Sequence, residues 1–378
     1  MGKRIYLEFS IPLVCVSTLT EGMRIILATA HPYIPQIAGG AQSNMHEMAI
    51  TLIQRGHQVS VVAGLTGDGL LGIKARIALK LGRAFHVDHR LGYPVIRTWF
   101  PWDAVESISA YAKPDIVIAQ SGFPARLSEA FRSIGIPTVI HLHNVEADDL
   151  VGVSASSADA FLANSQFTAA RAAAQYGIRS TVIVPSFIRD RYVTERSGNY
   201  VTMINPHQKK GVEKMLEIVR KMPGQQFLFV KAWTLTADEE AALLDAADTL
   251  PNLTLNERTS DMREVYAKTK VLAVPSVWEE AWGRVATEAQ FSGIPVVGSD
   301  RGGIPEAIGP GGIVLSADAD SSQWVSALSS LLDDPVAYAK AAKAALDHSQ
   351  RDEIDLGQQM TTLEGVCQHV IAKRAQSA

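Results

Sequence analysis

Cysteine is nearly absent from this chain of 378 residues: there are two, Cys15 and Cys367. That excludes a disulfide framework and a multi-cysteine metal site, and it points to a reducing compartment, the cytoplasm. A surplus of either charge is also missing. The formal net charge is -4 with 20% charged residues, which gives no footing for nucleic acid. No uninterrupted apolar run reaches the roughly 18 residues of a membrane-spanning helix. The G-x-G-x-x-G dinucleotide fingerprint is lacking too, which argues against a nicotinamide enzyme. Neither a sequence repeat nor a low-complexity segment occurs. The bulk composition is ordinary: 47% hydrophobic residues, enough for substantial cores, in a length that suits two domains.

What is present is an alternation of short apolar runs with amphipathic stretches. RIILATA (24–30), QVSVVAG (58–64), PDIVIAQ (114–120), TVIHLHN (138–144), AFLANS (160–165) and TVIVPS (181–186) form a first series of expected strands. YVTMIN (200–205), QFLFVKAW (226–233), LTLNE (253–257), VLAVPS (271–276), PVVGSD (295–300) and GIVLS (312–316) form a second. Between them lie helical patterns such as SNMHEMAITLIQRG. The reading is α/β: two Rossmann-like, doubly wound parallel sheets facing across a cleft. The first domain is expected over 23–187, a polar linker over 188–199 and the second domain over 200–350. Residues 336–376 read as helical throughout, and a terminal helix over 351–378 could cross back to the first domain. Residues 1–22 read as an appended or misassigned start. Glu8 interrupts the apolar region after Lys3-Arg4, and no A-x-A cleavage site follows.

The densest chemistry lies between Val274 and Ile308. A strand ends at Pro275-Ser276, a loop carries Glu279 and Glu280, and a helix beginning near Gly283 carries Glu288. Ligands of open α/β sheets bind at the carboxyl ends of strands, and helix N-termini suit phosphate. Gly39-Gly40 form another strand-to-helix turn where a ligand could approach the backbone. His141 and His143 end a strand on one face, and His143 sits nearer the expected cleft. It reads either as a partner for a sugar hydroxyl or as a structural histidine. Lys209-Lys210-Gly211 lie in a strand-to-helix loop, where a lysine can neutralise a diphosphate; a solvated basic pair is the alternative. Asp318 and Asp320 read as helix capping rather than metal ligation. The segment 72–83, with Lys74, Arg76, Lys80 and Arg83 among Ile73, Ile77, Leu79 and Leu81, reads as a solvent-facing helix or as a basic amphipathic helix on an anionic membrane. Trp99, Phe100 and Trp102 suit an acceptor wall or a core. Asn252-Leu253-Thr254 matches the glycosylation pattern by chance.

Taken together these motifs resemble glycosyltransferase family 4, the retaining group 1 glycosyltransferases of GT-B fold. The resemblance rests on P-S-x-x-E-E-x-W-G-R-x-x-x-E-A, with Glu280 and Glu288 in the E-x7-E spacing, followed by S-G-I-P-V-V-G-S-D-x-G-G-I-P-E. GGAQSNMHEMAITLIQRGHQVSVV and NPHQKKG resemble the family's Gly-Gly loop and phosphate-binding loop. The resemblance implies a hexosyltransferase-like enzyme that moves a sugar from a UDP- or GDP-sugar to an acceptor hydroxyl in glycan, glycolipid or polysaccharide biosynthesis. The acceptor would be a glycan, a lipid-linked molecule or a small molecule bound by the first domain. His143 and Glu280 would serve the reacting sugar, and Glu288 the ribose. Gly39, Gly40, Lys210 and the backbone of Trp282, Gly283, Arg284 and Val285 would hold the donor phosphates. The loop 256–262, with Arg258, would meet the base. No metal and no cofactor are implied. Where many members carry a phosphate-binding arginine this chain has Asn205, and Lys209 or Arg284 would compensate. Glu279 falls outside the spacing. A nucleotide-sugar epimerase and a non-catalytic sugar-nucleotide binder are the competing readings. The expected location is the cytoplasm, with peripheral contact to the membrane's cytoplasmic face if segment 72–83 docks there.

Overall fold

The computed structural model describes residues 22–37 and 39–377. The extension at 1–22 therefore lies, apart from Gly22, outside the described residues. The first series of apolar runs becomes β1 (Arg24–Pro32), β2 (Gln58–Gly64), β3 (His86–Asp88), β4 (Val95–Arg97), β5 (Ile116–Gln120), β6 (Thr138–Leu142), β7 (Ala160–Ala163) and β8 (Thr181–Val182). They order as β3-β4-β2-β1-β5-β6-β7-β8, parallel except for the β3–β4 pair. The second series becomes β9 (Tyr200–Ile204), β10 (Phe227–Val230), β11 (Leu253–Asn256), β12 (Thr269–Val274), β13 (Val296–Ser299) and β14 (Gly312–Leu315), ordered β11-β10-β9-β12-β13-β14. The strand expected over 181–186 shrinks to two residues, Thr181 and Val182.

Five helices accompany the first sheet: α1 (Gly40–Gln54), α2 (Gly69–Lys80), α3 (Val105–Ala112), α4 (Pro124–Ser133) and α5 (Gln166–Tyr176). With the second come α6 (Val212–Lys221), α7 (Ala237–Thr249), α8 (Arg263–Lys268), α9 (Arg284–Gln290), α10 (Ile304–Ile308), α11 (Ser321–Leu332) and α12 (Pro335–His348). The last is α13 (Leu356–Ser377). Each sheet is packed on both faces, because successive side chains of a strand point oppositely. In β1, Ile25 and Leu27 join one core with Met48 and Leu52 of α1, while Ile26 and Ala28 join the other with Ile108 and Phe131. Fully buried central strands explain why β5 and β6 read as continuous apolar runs. Among the described residues no helix is long and apolar enough to cross a membrane.

The stretch 336–376, expected to be helical throughout, holds two helices with a break between them. α12 stops at His348, and α13 restarts after Asp355, whose carboxylate accepts the Gln358 N–H at 2.7 Å. An aspartate at an N-cap competes with continued helix by satisfying the new terminus itself. α13 then packs on the first domain. Met360, Leu363, Cys367 and Val370 enter its core, and Glu364 accepts from Arg55 at 2.6 Å and lies 2.9 Å from His57. Truncating fully buried Leu363 (L363A) should lower unfolding stability by about 2–5 kcal/mol. Denaturant titration checks this, and a loss under about 1 kcal/mol would show that α13 is not part of that core.

Asn252 is buried, and its side-chain amide donates to the carbonyls of Val219, Met222 and Gln225 at 3.0, 3.0 and 3.1 Å. It holds the end of α6 against the sheet and is no glycosylation acceptor. Asp320 caps α11 through the N–H groups of Ser322 and Gln323, as its position suggested.

Candidate functional site

In both sheets the connections reverse direction beside the first strand, between β1 and β5 and between β9 and β12. The carboxyl ends at these two switch points face each other across a cavity of about 410 Å³. Such crevices are where open α/β sheets bind ligands.

The second domain builds one wall from strand exits. Asn205, just past β9, adopts a left-handed φ of 63°, and its side-chain oxygen accepts the Trp233 N–H at 3.1 Å. Asparagine tolerates that conformation better than most residues. The position that lacks the family's arginine thus ties the β9 and β10 exits together. The following turn, Gln208–Lys210, ends at Gly211 with φ 79°, where an added Cβ would lie 2.1 Å from the Pro275 carbonyl. Only glycine lets this turn lie against the β12 exit. The consequence is the placement of Lys210. Its Nζ sits 2.9 Å from the Glu280 carboxylate and 4.9 and 4.8 Å from the rings of Trp233 and Trp278. Glu280 also accepts from Ser276, and its carbonyl takes the Gly303 N–H at 2.6 Å.

The first domain supplies the opposite wall. His143 follows β6 directly, its ring 4.1 Å from that of His141. Burial, His141 and Arg284 hold His143 well below the ordinary histidine value, and burial brings His141 down to about 4. His143 is therefore neutral at physiological pH, and its buried Nε2 has no hydrogen-bond partner among the described residues. Gly39 and Gly40 open α1 from the same side. A Cβ on Gly40 would sit 3.3 Å from Cδ of Arg284 in the other domain, so a small residue is needed for the two walls to approach. Asp149 braces this wall. Burial opposes its ionisation, but bonds from His31, Asn144 and the Gly122 N–H outweigh burial and hold its pKa below the usual carboxylate range.

Beneath the cavity floor the two domains share a buried charge cluster. The Arg284 guanidinium donates to the Ser186 carbonyl at 2.8 Å and Tyr192 Oη at 3.0 Å. It also meets Glu47 and Glu288, each at 3.3 Å. Tyr192 donates to Glu47 at 2.5 Å, and Tyr266 to Glu288 at 2.8 Å. Burial would lower the Arg284 pKa, but Tyr192, Glu47 and Glu288 outweigh it and hold it above the usual value.

The structure brings Gly39, Gly40, His143, Asn205, Lys210, Glu280, Trp282, Gly283, Arg284 and Val285 to one cavity. Several expectations change. The Arg284 side chain is committed to Glu47 and Glu288 rather than offered to phosphate, because α9 directs it into the domain junction. Lys209 turns away from the cavity to Glu146 at 3.1 Å, since neighbouring residues of a tight turn point differently. Arg258 is exposed and outside the cavity lining, because it follows β11 at the sheet edge, two strands from β9. Glu279 is no bystander: it pairs with Arg171 of the first domain at 2.6 Å. Glu288 lies behind the lining residues, against Arg284 and Tyr266. Trp99 and Phe100 are exposed, and Trp102 packs under Arg126 at 4.0 Å, so these aromatics do not line the cavity.

Several partners escaped sequence reasoning. Trp233 and Trp278 each stand shortly after a strand exit, a position from which an aromatic could have been suspected. Glu47 belongs to Asn44, Glu47 and Thr51, a polar stripe at helical spacing within a buried helix. That pattern marks a helix face turned to something polar.

Comparison with known proteins follows the two domains. Residues 38–190 match the family described as Glycosyltransferase Family 4, and residues 199–334 match Glycosyl transferases group 1. A D-inositol 3-phosphate glycosyltransferase of Corynebacterium aurimucosum is 42% identical over 88 residues, 23% of this chain and 21% of that protein. The chain thus spans about a fifth of the length of the curated relatives it matches. Among solved structures, a glycosyltransferase from Rickettsia africae has TM-score 0.72 at 16% identity, covering 92% of this chain and 98% of that one. Anabaena HepE in complex with UDP and glucose has TM-score 0.70 at 21% identity, covering 91% and 99%. At these identities the likeness is one of fold.

Proposed function

Because this chain belongs to the group 1 glycosyltransferases of family 4, we infer that it moves a sugar from a nucleoside diphosphate donor to an acceptor hydroxyl, retaining the anomeric configuration. The observation that carries this reading is the Lys210–Glu280 pair, 2.9 Å apart at the β9 and β12 exits and facing neutral His143 across the cavity. HepE was solved with UDP and glucose, which supports a nucleotide-sugar donor here, and the relative named above is by its name an inositol phosphate glycosyltransferase.

In this mechanism Lys210 supplies a fixed positive charge to the departing diphosphate, assisted by backbone N–H groups at 283–285. Trp233 and Trp278 frame the ammonium and limit its hydration, which strengthens its pull on phosphate. Glu280 lies where it can stabilise charge developing on the donor sugar. His143 Nε2 meets a sugar hydroxyl, a bond that its neutral state allows in either direction. The acceptor hydroxyl attacks the anomeric carbon from the face the diphosphate leaves; its oxygen bonds that carbon as the carbon–phosphate oxygen bond breaks, and its proton passes to the departing phosphate oxygen. The charge on Lys210 takes the place of a metal, so a chelator should leave turnover unchanged. The reaction belongs to the cytoplasm and to glycan, glycolipid or polysaccharide assembly.

A thermal-shift screen against nucleotides and UDP- or GDP-sugars should identify the donor, since a ligand of the folded state raises its stability. Alanine at position 210 (K210A) should weaken donor binding about tenfold to a hundredfold, the scale of a lost charged hydrogen bond. Calorimetric titration checks this, and undiminished affinity would remove Lys210 from the phosphate site. NMR of the product anomer tests retention; an inverted product refutes it. Conversion of donor alone into an isomer would replace this reading with an epimerase.

A further inference from the structure

We propose that α2 is a membrane-docking element that lays its outer face on an anionic phospholipid surface. Leu70, Ile73, Ile77 and Leu81 recur at spacings of three and four, so they form one stripe along the helix. They are 74%, 45%, 54% and 77% exposed. The residues that anchor the helix to the domain, Leu71, Gly72, Ala75 and Ala78, are buried on the other side. The stripe lies outside the hydrophobic cores of the domain, and removing its exposed area from water needs an external apolar phase.

Charge selects the phase. Lys74 and Lys80 flank the stripe on its two sides, and Arg76 and Arg83 lie close by. Between Asp68 and Asp88 there is no acidic residue, in a chain whose net charge is -4. Asp88 is itself buried and pairs with Arg97 at 3.1 Å, so it does not offset the outward cations. Exposed Trp99 extends the patch. Its ring and the Arg76 guanidinium both border Gly67, 3.7 and 3.6 Å from where a Cβ would stand. An apolar stripe with lysines on both margins and a tryptophan beside it matches the layering of a bilayer surface: acyl chains, then an interfacial zone, then anionic headgroups. A second copy of this chain fits less well, because a two-fold contact would bring four cations against four. This inference does not depend on the donor reaction.

Co-sedimentation of the full chain with vesicles tests it. Binding is expected to phosphatidylcholine vesicles containing phosphatidylglycerol, weakened by salt, and not to phosphatidylcholine alone. Neutralising the margins (K74Q/K80Q) should reduce the partition coefficient roughly thirtyfold, about fivefold per cation. Polar substitution of the stripe (I73S/I77S) should reduce it at least tenfold per side chain at roughly 25 cal/mol per Å². All four side chains are outside the core, so both variants should melt like the parent and keep its nucleotide affinity. Absence of binding to anionic vesicles overturns the proposal, as does binding that I73S/I77S leaves intact. A dimer in sedimentation velocity that I73S/I77S dissolves also overturns it, by placing a second copy on the face.

Discussion

Substituting Glu280 by glutamine (E280Q) should lower kcat/KM about a hundredfold to a thousandfold while leaving nucleotide affinity equal or higher. The substitution keeps the shape of a side chain held by Ser276 and by the backbone link to Gly303, so geometry is preserved and only the charge is lost. A preorganised charge facing the developing charge of the transition state is worth about 3–4 kcal/mol in comparable sites. The expected split between turnover and binding follows from Lys210. In the parent, Glu280 and an incoming diphosphate compete for the same ammonium, 2.9 Å from the carboxylate. With glutamine the diphosphate no longer competes with an anion. Steady-state kinetics with the screened donor, paired with calorimetry on the nucleotide, reads both quantities. A kcat/KM within threefold of the parent, roughly 0.7 kcal/mol by the usual rate relation, would remove Glu280 from the chemistry.

Replacing Arg284 by methionine (R284M) should destabilise the fold by about 3–5 kcal/mol, the range for a buried ion pair that loses one partner. Glu47 and Glu288 would then share a buried space without the cation that separates them. The loss should depend on pH with a definite sign. Burial raises the Glu288 pKa above 4.5 in the parent, while Arg284 and Tyr266 pull it back. Without Arg284 it rises further. A carboxyl whose folded pKa exceeds its unfolded value keeps a proton that the unfolded chain has released. Its contribution is full below the unfolded pKa and is lost as pH rises through the folded pKa. The R284M deficit should therefore be larger near about pH 8 than near about pH 5, two settings on either side of the rise. Thermal unfolding at both values decides it; a deficit that grows on acidification contradicts the assignment.

Much of the architecture was legible because parallel strands buried on both faces are short apolar runs, and their length and flanking turn residues set them apart from helices. The E-x7-E block was legible for a related reason. A strand exit, a glycine and a helix start must follow one another in order, so the spacing survives in one dimension. What could not be seen is what depends on two distant segments meeting. Glu47 and Arg284 stand far apart in the chain, and nothing local to either marks the other. Lys209 and Lys210 are indistinguishable as sequence, and only the Gly211 turn sends one inward and the other to Glu146. Arg258 lies outside the cavity lining for a topological reason: strand order, not chain order, places β11 at the edge. The break before α13 was missed because the apolar pattern on its two sides keeps helical spacing, and Asp355 reads as surface until its capping bond is seen.

The chain passes between the domains twice, after β8 and again between α12 and α13, because α13 returns to the first core. Each passage is fastened to the second domain: Thr194 donates to Ser292 at 3.0 Å, and Arg351 lies against Glu306 with His348. A single connection would let one domain swivel in any direction. Two fastened connections fix a line in space, and rotation about that line is the motion that strains neither. An opening of the cavity that keeps both fastenings has to turn about that line.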